Sequence, residues 1–518
     1  MKAGSLLKTK RKQLIAFNDL KRKIITPGFC TLCGACEAAC PVHAIKIKEN
    51  KIHSILDCSE ALDLCPICYD ICPHSEALLL EAMGFVTEAP FRRSNLGYYR
   101  KIVLAQATEH RLRELSHSGG VVTSLLMHLI AKGIVDSAVV SEAEPQVPLK
   151  LKPSIALVPD DILSSVDSKF FPSSVAHAFG KAVYEYGKAN IAFVGIPCHV
   201  LALRKLEAWQ HKLAENLKIV IGLFCLWTFS LGYLLEYLSS TYHIEASDIK
   251  RIDLQKEYVV DTTKGTIRIP LSEVKPHILN SCRTCGDFTS ELADISVGGA
   301  YPLEDWSTVI IRTKHGEDVF NDAVKHGAIR TMSINKKPDV FTHTVEMAIH
   351  KKRLALEEVK RLRATNRPVP PITDRLLMFL PRETALFTSL KVEDVMTKKV
   401  MAVPPTITVS QFLEVMTKHH HMGYPVMNER KELTGIVTFE DAAKVPKEKK
   451  DKVLINDIVH RKLVVAYPDE SVLEAIERMI AHKIGRILVV DRKNPKNLCG
   501  ILTRTDVMHV LKWPMKTK

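Results

Sequence analysis

Short apolar runs alternate with helical patterns through the middle of the chain, and this alternation predicts an α/β region from about Tyr98 to Ile334. The runs that we expect to be buried strands are 102–107, 138–141, 190–194, 218–223 and 293–299. Strands joined by helices usually lie parallel, so their carboxyl ends meet at one edge of a sheet. Residues that follow these strands are therefore predicted to lie close together.

A glycine turn and a proline-rich stretch lie among these strands. Ser118, Gly119 and Gly120 precede an apolar helix that we expect to end at Gly133. Backbone N–H groups of such a turn can approach a pyrophosphate at the helix N-terminus, although many glycine pairs before a helix bind nothing. Residues 142–165 contain four prolines and are predicted to form a loop.

The C-terminal part of the chain repeats one order of elements. Residues 390–446 and 453–513 each read as a short strand, an amphipathic helix, two strands joined by a turn, and a T-x2-D sequence that opens a helix. Two such βαββα units stack because neither buries its sheet face alone. Before them, residues 341–388 combine a helical pattern of mixed charge with a proline-rich segment, which predicts a helix followed by a stiff linker.

Eight of the thirteen cysteines lie between Phe29 and Pro73, and their spacing resembles that of a two-cluster ferredoxin over residues 25–90. The first motif, C-x2-C-x2-C-x3-C-P, contains Cys30, Cys33, Cys36 and Cys40. The second contains Cys58, Cys65, Cys68 and Cys72, with six residues between the first two where the ferredoxin pattern has two. The fourth cysteine of each motif binds the other 4Fe-4S cube, so Cys72 joins the first cube and Cys40 the second. Structural zinc or disulfides remain the alternatives.

Four further cysteines are candidates for a third 4Fe-4S cluster: Cys198, Cys225, Cys282 and Cys285. Two of them follow predicted parallel strands and two form a C-x2-C pair, so the sheet edge could bring all four together. Single cysteines are also common core residues, and this alternative stays open for the first two. Cys499 stands alone far downstream.

Several motifs within residues 98–340 resemble the coenzyme F420 hydrogenase/dehydrogenase beta-subunit family. They are SGGVVTSLL, SKFFPSSV, GIPCHVLALRKL, IGLFC and CRTCGDFTSELADISVGGA, in the order expected. The resemblance implies an α/β flavin-binding domain of archaeal type, in which FAD exchanges hydride with coenzyme F420 and a cluster moves single electrons. The cofactor-binding positions that it implies are Ser118, Gly119, Gly120, Thr123, Lys169, Gly195 and Pro197. Ile196 stands where the family has threonine, so a hydroxyl contact is missing there.

The C-terminal repeats resemble tandem CBS (cystathionine-β-synthase) domains. This resemblance implies a cleft for an adenine nucleotide, AMP or ATP, and a homodimer formed through the pair. The residues implied to contact the nucleotide are Thr438, Asp441, Thr503 and Asp506. Carboxylates can accept hydrogen bonds from ribose hydroxyls, but threonine and aspartate are also ordinary helix-capping residues.

Composition and charge narrow the function classes. With 46% hydrophobic and 25% charged residues, the 518-residue chain is ordinary globular material. The net charge is +14, and half of it lies in a basic tail, residues 1–24, which lacks the interleaved aromatic residues that stack on bases. We therefore do not expect nucleic-acid binding. No apolar run is long enough to span a membrane and no secretory leader is recognisable, so we expect a cytoplasmic protein.

Together these patterns predict a multidomain α/β iron-sulfur flavoprotein: an F420-dependent oxidoreductase that passes electrons to a redox partner protein or catalytic subunit and is regulated by nucleotide. One alternative keeps the flavin and clusters but reduces another substrate. A second is a nucleotide-sensing adaptor subunit without its own catalysis. A third, a zinc-stabilised nucleic-acid binder, would rest on the basic tail alone.

Overall fold

The computed structural model describes residues 16–56, 58, 65–86, 94–116, 118–144, 147–166, 170–254, 257–373, 390–419, 423–482, 484–503 and 506. The chain divides into two units, Met1–Phe379 and Leu380–Lys518. The first contains the cysteine-rich segment and the α/β region, and the second contains the two repeats.

The cysteine-rich segment forms a small α+β module, as predicted. Strand β1 (Ile45–Lys48) pairs antiparallel with β2 (Lys51–Ser54). The short helices are Ala16–Leu20, Ala35–Ala38, Ile67–Asp70 and Leu79–Gly84, with a π-helical turn at Lys21–Ile25. Leu20, Ile24 and Phe29 pack around the cysteines and form an apolar core.

The α/β region is built on an eight-stranded sheet. In chain order the strands of the region are β3 (Lys101–Ala107), β4 (Ser137–Glu144), β5 (Val147–Ala156), β6 (Ile191–Gly195), β7 (Leu217–Leu223), β8 (Ile249–Leu254), β9 (Tyr258–Thr262), β10 (Gly265–Ile269), β11 (Ile295–Ala300), β12 (Leu303–Ile311) and β13 (Ile329–Ser333). The sheet order is β13-β3-β12-β11-β7-β6-β4-β5. Its neighbours β4, β6, β7 and β11 are parallel, and the other pairs are antiparallel. Strands β8, β9 and β10 form a separate antiparallel sheet, which sequence analysis missed.

Helices cover both faces of the large sheet. The longer helices are Val121–Ala131, Val175–Tyr184, Pro197–Ala208, Leu231–Tyr242, Lys314–Lys325 and Pro338–Ala364; shorter ones are His110–Leu115, Leu271–Val274 and Asn280–Arg283. Leu125 and Phe320 belong to the core on one face, whereas Phe179, Phe193 and Leu203 belong to the core on the other. The predicted helix after the glycine turn is confirmed: Gly120 has φ +67° just before it and Gly133 has φ +66° just after it.

The prediction of a loop over residues 142–165 is wrong for most of its length. Strand β5 occupies Val147–Ala156 and pairs antiparallel with β4, with Pro153 opposite Ser141. Because β5 is the last strand of the sheet, it needs hydrogen-bonding groups on one side only, and an edge strand can therefore contain proline.

The helix Pro338–Ala364 packs into the first unit along much of its length. Val340, Ala348 and Val359 are buried on it. Beyond it, the proline-rich segment remains attached to the cysteine-rich module, since Ile372 N donates to His74 O at 3.1 Å. None of the helices in the described ranges is long and apolar enough to cross a membrane.

The second unit contains the two predicted repeats. Strand β14 (Gly423–Met427) pairs with β15 (Leu433–Thr438), and β16 (Val465–Ala466), β17 (Arg486–Val490) and β18 (Leu498–Thr503) form a sheet in that order. The helices are Val392–Val395, Val409–His419, Phe439–Ala443, Ile455–Ile458 and Val472–Ala481. In the first repeat, the predicted opening strand is only a single parallel bridge between Val403 and Val426.

Candidate iron-sulfur and flavin site

Twelve of the thirteen cysteines come together in three groups of four. The first group combines Cys30, Cys33, Cys36 and Cys72, which interact electrostatically with one another. Burial, and then the neighbouring thiols, raise the pKa of Cys33 to about 12. Such thiols stay neutral on their own, and a bound cationic centre is what allows buried neighbours to ionise together. This is the grouping predicted for the first cube.

The second group combines Cys40, Cys58, Cys65 and Cys68. Burial is the main cause that raises the pKa of Cys68, and the neighbouring thiols of Cys65, Cys58 and Cys40 raise it further. The Ala44 N–H points at Cys40 Sγ at 3.2 Å, a donor of the kind that stabilises a cluster thiolate. The six-residue spacing after Cys58 therefore does not prevent the four cysteines from meeting.

The third group combines Cys198, Cys225, Cys282 and Cys285 after strands β6 and β7. Burial raises the pKa of Cys198 well above its ordinary value, with Cys282, Cys33, Cys225 and Cys285 as further causes. Cys225 N donates to Phe288 O at 2.9 Å, which ties the turn after β7 to the loop that follows the C-x2-C pair. The structure thus brings together the four cysteines that sequence analysis proposed for a third cluster.

The spacing of the sulfurs separates the cluster interpretation from the zinc alternative. A single tetrahedral zinc with Zn–S bonds of about 2.3 Å brings its thiolates within about 4 Å of one another. Among the described residues, which include all thirteen cysteines, the one set of three or more potential ligands whose atoms all lie within 4.8 Å is His128, Asp322 and His326. No three cysteine sulfurs approach that closely, and no disulfide joins any two of them. The cysteine groups therefore fit a larger centre, such as a 4Fe-4S cube, better than a single ion.

The first and third groups adjoin. Cys198 interacts electrostatically with Cys33, so the cysteine-rich module presents its first group to the edge of the large sheet. Ser174 Oγ donates to Leu32 O at 2.8 Å, and Ala176 N donates to Cys33 O at 3.0 Å. A Cβ on Gly34, whose φ is +87°, would lie 2.8 Å from His177 Cβ, so this close approach requires glycine.

Two buried lysines reach the backbone beside the cysteines. Lys205 is fully buried and donates to Cys72 O at 2.7 Å and to Ser75 O at 2.8 Å. Lys351 is 2% exposed and donates to Cys225 O at 2.5 Å and to Asp287 O at 2.6 Å. Sequence analysis missed both, because each lies in a helical pattern of mixed charge where a lysine usually faces solvent.

The predicted flavin-binding turn lies at the same sheet edge. A Cβ on Gly119 would lie 2.8 Å from Ala105 O and 3.0 Å from Ser307 N, so the turn is pressed against β3 and β12. Ser118 Oγ is 3.2 Å from Ser307 Oγ, and Thr123 is buried. Packing alone accounts for glycine at this turn, and contact with a flavin stays a prediction.

The other predicted flavin positions are spread over three places. Gly195 ends β6, where a Cβ would lie 2.7 Å from His199 Cβ. Pro197 begins the helix Pro197–Ala208 next to Cys198. Lys169 lies outside the described residues.

A cleft of about 410 Å³ opens beside the glycine turn. Its lining residues are Gln106, His110, Arg113, Glu114, Asp305, Trp306 and Arg330. Arg113 Nη1 donates to Ala107 O at 2.7 Å, Gln106 Nε2 donates to Asp305 O at 2.7 Å, and Arg330 Nε donates to Gln106 Oε1. The cleft lies at the carboxyl end of β3, which is the usual location of ligands in α/β sheets. Sequence analysis did not single out any of its residues.

In the second unit, the predicted nucleotide-binding residues form two capping pairs. Thr438 Oγ1 donates to Asp441 Oδ2 at 2.7 Å, and Thr503 Oγ1 donates to Asp506 Oδ2 at 2.6 Å. Burial acts to raise the pKa of Asp441, but hydrogen bonds from Thr438 and His460 outweigh it and hold the pKa below its ordinary value. The observed contacts of these threonine and aspartate residues are those of helix caps, and contact with a nucleotide stays a prediction.

Family comparisons match most of the chain. The coenzyme F420 hydrogenase/dehydrogenase beta-subunit models match residues 102–179 (N-terminal part) and 188–337 (C-terminal part). A 4Fe-4S binding domain matches 23–46, which includes the first cysteine motif, and CBS domains match 392–448 and 455–512.

Individual relatives share the central region. The chain is 27% identical to the coenzyme F420 hydrogenase subunit beta of Methanothermobacter thermautotrophicus over 279 residues, 53% of this chain and 99% of the relative. It is 28% identical to the coenzyme F420-dependent sulfite reductase of Methanocaldococcus jannaschii over 320 residues, 58% of this chain and 46% of the relative. A chain of the F420-reducing [NiFe] hydrogenase complex from Methanosarcina barkeri aligns with a TM-score of 0.51 and 25% identity, covering 54% of this chain and 98% of that one.

These matches confirm the resemblances drawn from the motifs. The chain contains, in this order, a 4Fe-4S binding domain, the N- and C-terminal domains of the coenzyme F420 hydrogenase/dehydrogenase beta subunit, and a pair of CBS domains.

Proposed function

We propose that this protein is an F420-dependent oxidoreductase, which exchanges a hydride between coenzyme F420 and FAD and passes single electrons through three 4Fe-4S clusters. The acceptor would be a redox partner protein or a catalytic subunit. The observation that carries this proposal is the convergence of twelve cysteines into three groups of four. Relatives named for F420-linked hydrogenase and sulfite reductase chemistry support the same reaction class.

The order of the cysteine groups defines a route for electrons. A bound flavin supplies the exchange between hydride transfer and single-electron transfer, and each cluster carries one electron. Cys198 and Cys33 join the third group to the first. Cys40 of the first motif belongs to the second group, and Cys72 of the second motif belongs to the first group, so the chain joins these two groups closely. The route therefore runs from the sheet edge through the first group to the second.

The cleft and the glycine turn are the proposed place of the flavin and of F420. Arg113 and Arg330 are cationic groups in a cleft wall that also contains Glu114 and Asp305, and they are suited to bind anionic groups. Trp306 offers an aromatic face. The helix Val121–Ala131 begins next to Gly120, so its N-terminal N–H groups favour a phosphate. Lys169 belongs to the proposal through family resemblance alone.

Anaerobic oxidation of reduced F420 with a dye as acceptor tests this function. The reconstituted full-length protein should consume reduced F420 and bleach the dye, whereas a Cys198→Ser variant should lose dye reduction because the third group is broken. Cys499→Ser is the matched control, since Cys499 belongs to none of the three groups, and it should behave like the wild type. Absence of F420 oxidation by flavin-loaded wild type would contradict the proposal.

A second candidate keeps the cofactors and changes the final substrate. It is favoured by the match to an F420-dependent sulfite reductase, of which this chain covers 46%. In the same assay, sulfite in place of the dye should support F420 oxidation if the protein itself reduces that anion. An adaptor subunit without catalysis would instead contain no flavin.

We also propose that an adenine nucleotide binds the CBS pair and regulates the redox unit. We propose further that two copies of the chain form a homodimer through their CBS pairs, and that the protein is cytoplasmic. The two Thr-Asp pairs, at Thr438 and at Thr503, lie where strands β15 and β18 end, as the family resemblance implies. Calorimetric titration of the full-length protein with AMP and ATP tests binding. An Asp506→Ala variant should bind more weakly, and equal affinity would contradict the assigned contact.

A further inference from the structure

A buried lysine lies beside the third cysteine group. Lys351 is on the helix Pro338–Ala364, outside the residues 188–337 that the family model matches. Lys351 is 2% exposed, and its ammonium donates to two backbone carbonyls, Cys225 O at 2.5 Å and Asp287 O at 2.6 Å. Burying a charge is costly unless something nearby compensates it, so this lysine requires a partner of opposite charge.

The groups that surround this ammonium are Asp287 and the cysteines of the third group, whose thiols become anionic when they hold a cluster. The Lys351 ammonium interacts with Cys285, Cys225 and Cys282, and more weakly with Asp287. The ammonium also contacts the backbone of Cys225 directly, since Lys351 Nζ lies 2.5 Å from the carbonyl oxygen of this predicted ligand. The charge is therefore positioned for a negatively charged centre held by the thiolates.

We propose that Lys351 is a positioning residue that raises the reduction potential of the third cluster by placing a fixed positive charge beside it. The inference rests on the proposed function, because it requires a cluster on these four cysteines. Reduction adds one electron and hence one negative charge to the centre, and a nearby cation in a medium of low dielectric constant stabilises the reduced form over the oxidised form. The effect sets how readily this cluster accepts an electron at the sheet edge.

A purely mechanical role is the competing explanation. Lys351 ties the turn after β7, which contains Cys225, to the loop at Asp287, so its loss could simply loosen both. Lys351→Met removes the charge and the hydrogen bonds, Lys351→Gln removes the charge but keeps a donor for a carbonyl, and Lys351→Arg keeps the charge. Loosening predicts that Gln resembles wild type, whereas the electrostatic role predicts that Gln resembles Met.

The matched control is Lys205, a buried lysine that contacts the first cysteine group. Lys205 donates to Cys72 O at 2.7 Å in the first group, so it offers the same kind of charge to a different cluster. Lys205→Met should shift the potential of the first cluster and leave that of the third unchanged. Lys351→Met should do the reverse.

The test is an anaerobic redox titration of the reconstituted full-length protein, followed by EPR. The signal of the third cluster is identified as the one lost in a Cys282→Ser variant. In Lys351→Met and Lys351→Gln we expect the equilibrium constant for its reduction to fall about tenfold, or about 59 mV for one electron. In Lys351→Arg it should change by less than about threefold.

Two results would count against different parts of the account. An unchanged potential in both neutral variants, with the third signal intact, would overturn the role of Lys351 and leave the proposed function standing. If the wild type shows no EPR signal that is lost in Cys282→Ser, the third cluster itself is absent and the proposed function fails. Unchanged iron content across the Lys351 variants confirms that the comparison concerns potential and not assembly.

Discussion

Replacing Lys205 by methionine should loosen the attachment of the cysteine-rich module to the helix Pro197–Ala208. The side chain is fully buried, and its ammonium donates to Cys72 O at 2.7 Å, Ser75 O at 2.8 Å and Ser75 Oγ at 3.0 Å. Methionine has a similar length but no donor. The variant would therefore leave three oxygens without this partner in a dry environment.

The magnitude follows from two opposing effects. Hydrogen bonds from a charged donor each contribute roughly 1.5–3 kcal/mol, and an unsatisfied buried acceptor costs about 1–3 kcal/mol. Against this, removing the ammonium relieves the cost of burying a charge, a cost seen in the pKa of Lys205, which burial lowers to about 8. The Ser75 hydroxyl also still donates to Cys72 O at 3.0 Å. We expect a net loss of about 3 kcal/mol in the local opening free energy.

Hydrogen exchange under anaerobic conditions measures this loss locally. A decrease of about 3 kcal/mol corresponds to roughly 150-fold faster exchange of the amides around Cys72 and Ser75, since 1.4 kcal/mol is a factor of ten. Lys181→Met is the control, because Lys181 is exposed and its ammonium lies 3.8 Å from the Glu185 carboxylate, a long and weak ion pair. Loss of this pair should change amide exchange little. Acceleration of less than about threefold in Lys205→Met would refute the reasoning.

Two further predictions concern packing and pH. A Cβ on Gly298 would collide with the ring of Phe224, whereas a Cβ on Gly299 would meet nothing within 4 Å. Gly298→Ala should therefore lower the free energy of unfolding by about 1–3 kcal/mol, measured by thermal unfolding, and lower the iron content, whereas Gly299→Ala should change neither. Equal behaviour of the two variants would contradict this expectation. The pKa of Asp441 is held below its ordinary value of 3.8, so the ionised carboxylate stabilises the first repeat above pH 3.8, and this contribution is lost as the pH falls through the lowered pKa. The Thr438 N–H donates to this carboxylate, and its protection from hydrogen exchange should therefore fall in acid. In Asp441→Asn the protection should be weaker and should not depend on pH in this range.

The sequence predicted well what depends on local spacing. The ferredoxin-like motifs place their ligands within short loops. Their spacing therefore predicts that Cys40 joins the group formed by the second motif and that Cys72 joins the group formed by the first. The proximity of Cys198 and Cys225 also follows from the sequence, because each comes after a predicted strand and the carboxyl ends of parallel strands share one edge of a sheet. The C-terminal repeats were recognisable from the order of elements in each.

What sequence reasoning missed depends on pairing between distant residues. Arg312 is fully buried and donates to Leu96 O, Tyr98 O and Thr289 O, contacts that only the folded sheet creates. Lys351 reaches Cys225 across 126 positions of the chain, and nothing in its own helix distinguishes it from exposed neighbours. The sequence predicts a loop where the edge strand β5 forms, because its prolines are tolerated only through the position of the strand in the sheet.

The central claim is that three groups of cysteines hold iron-sulfur clusters that take electrons from a bound flavin. Anaerobic quantitation of iron, acid-labile sulfide and flavin in the reconstituted full-length protein tests it most directly. The account predicts about twelve iron atoms and about one flavin for each chain. A protein that stays colourless and without iron after reconstitution would contradict it.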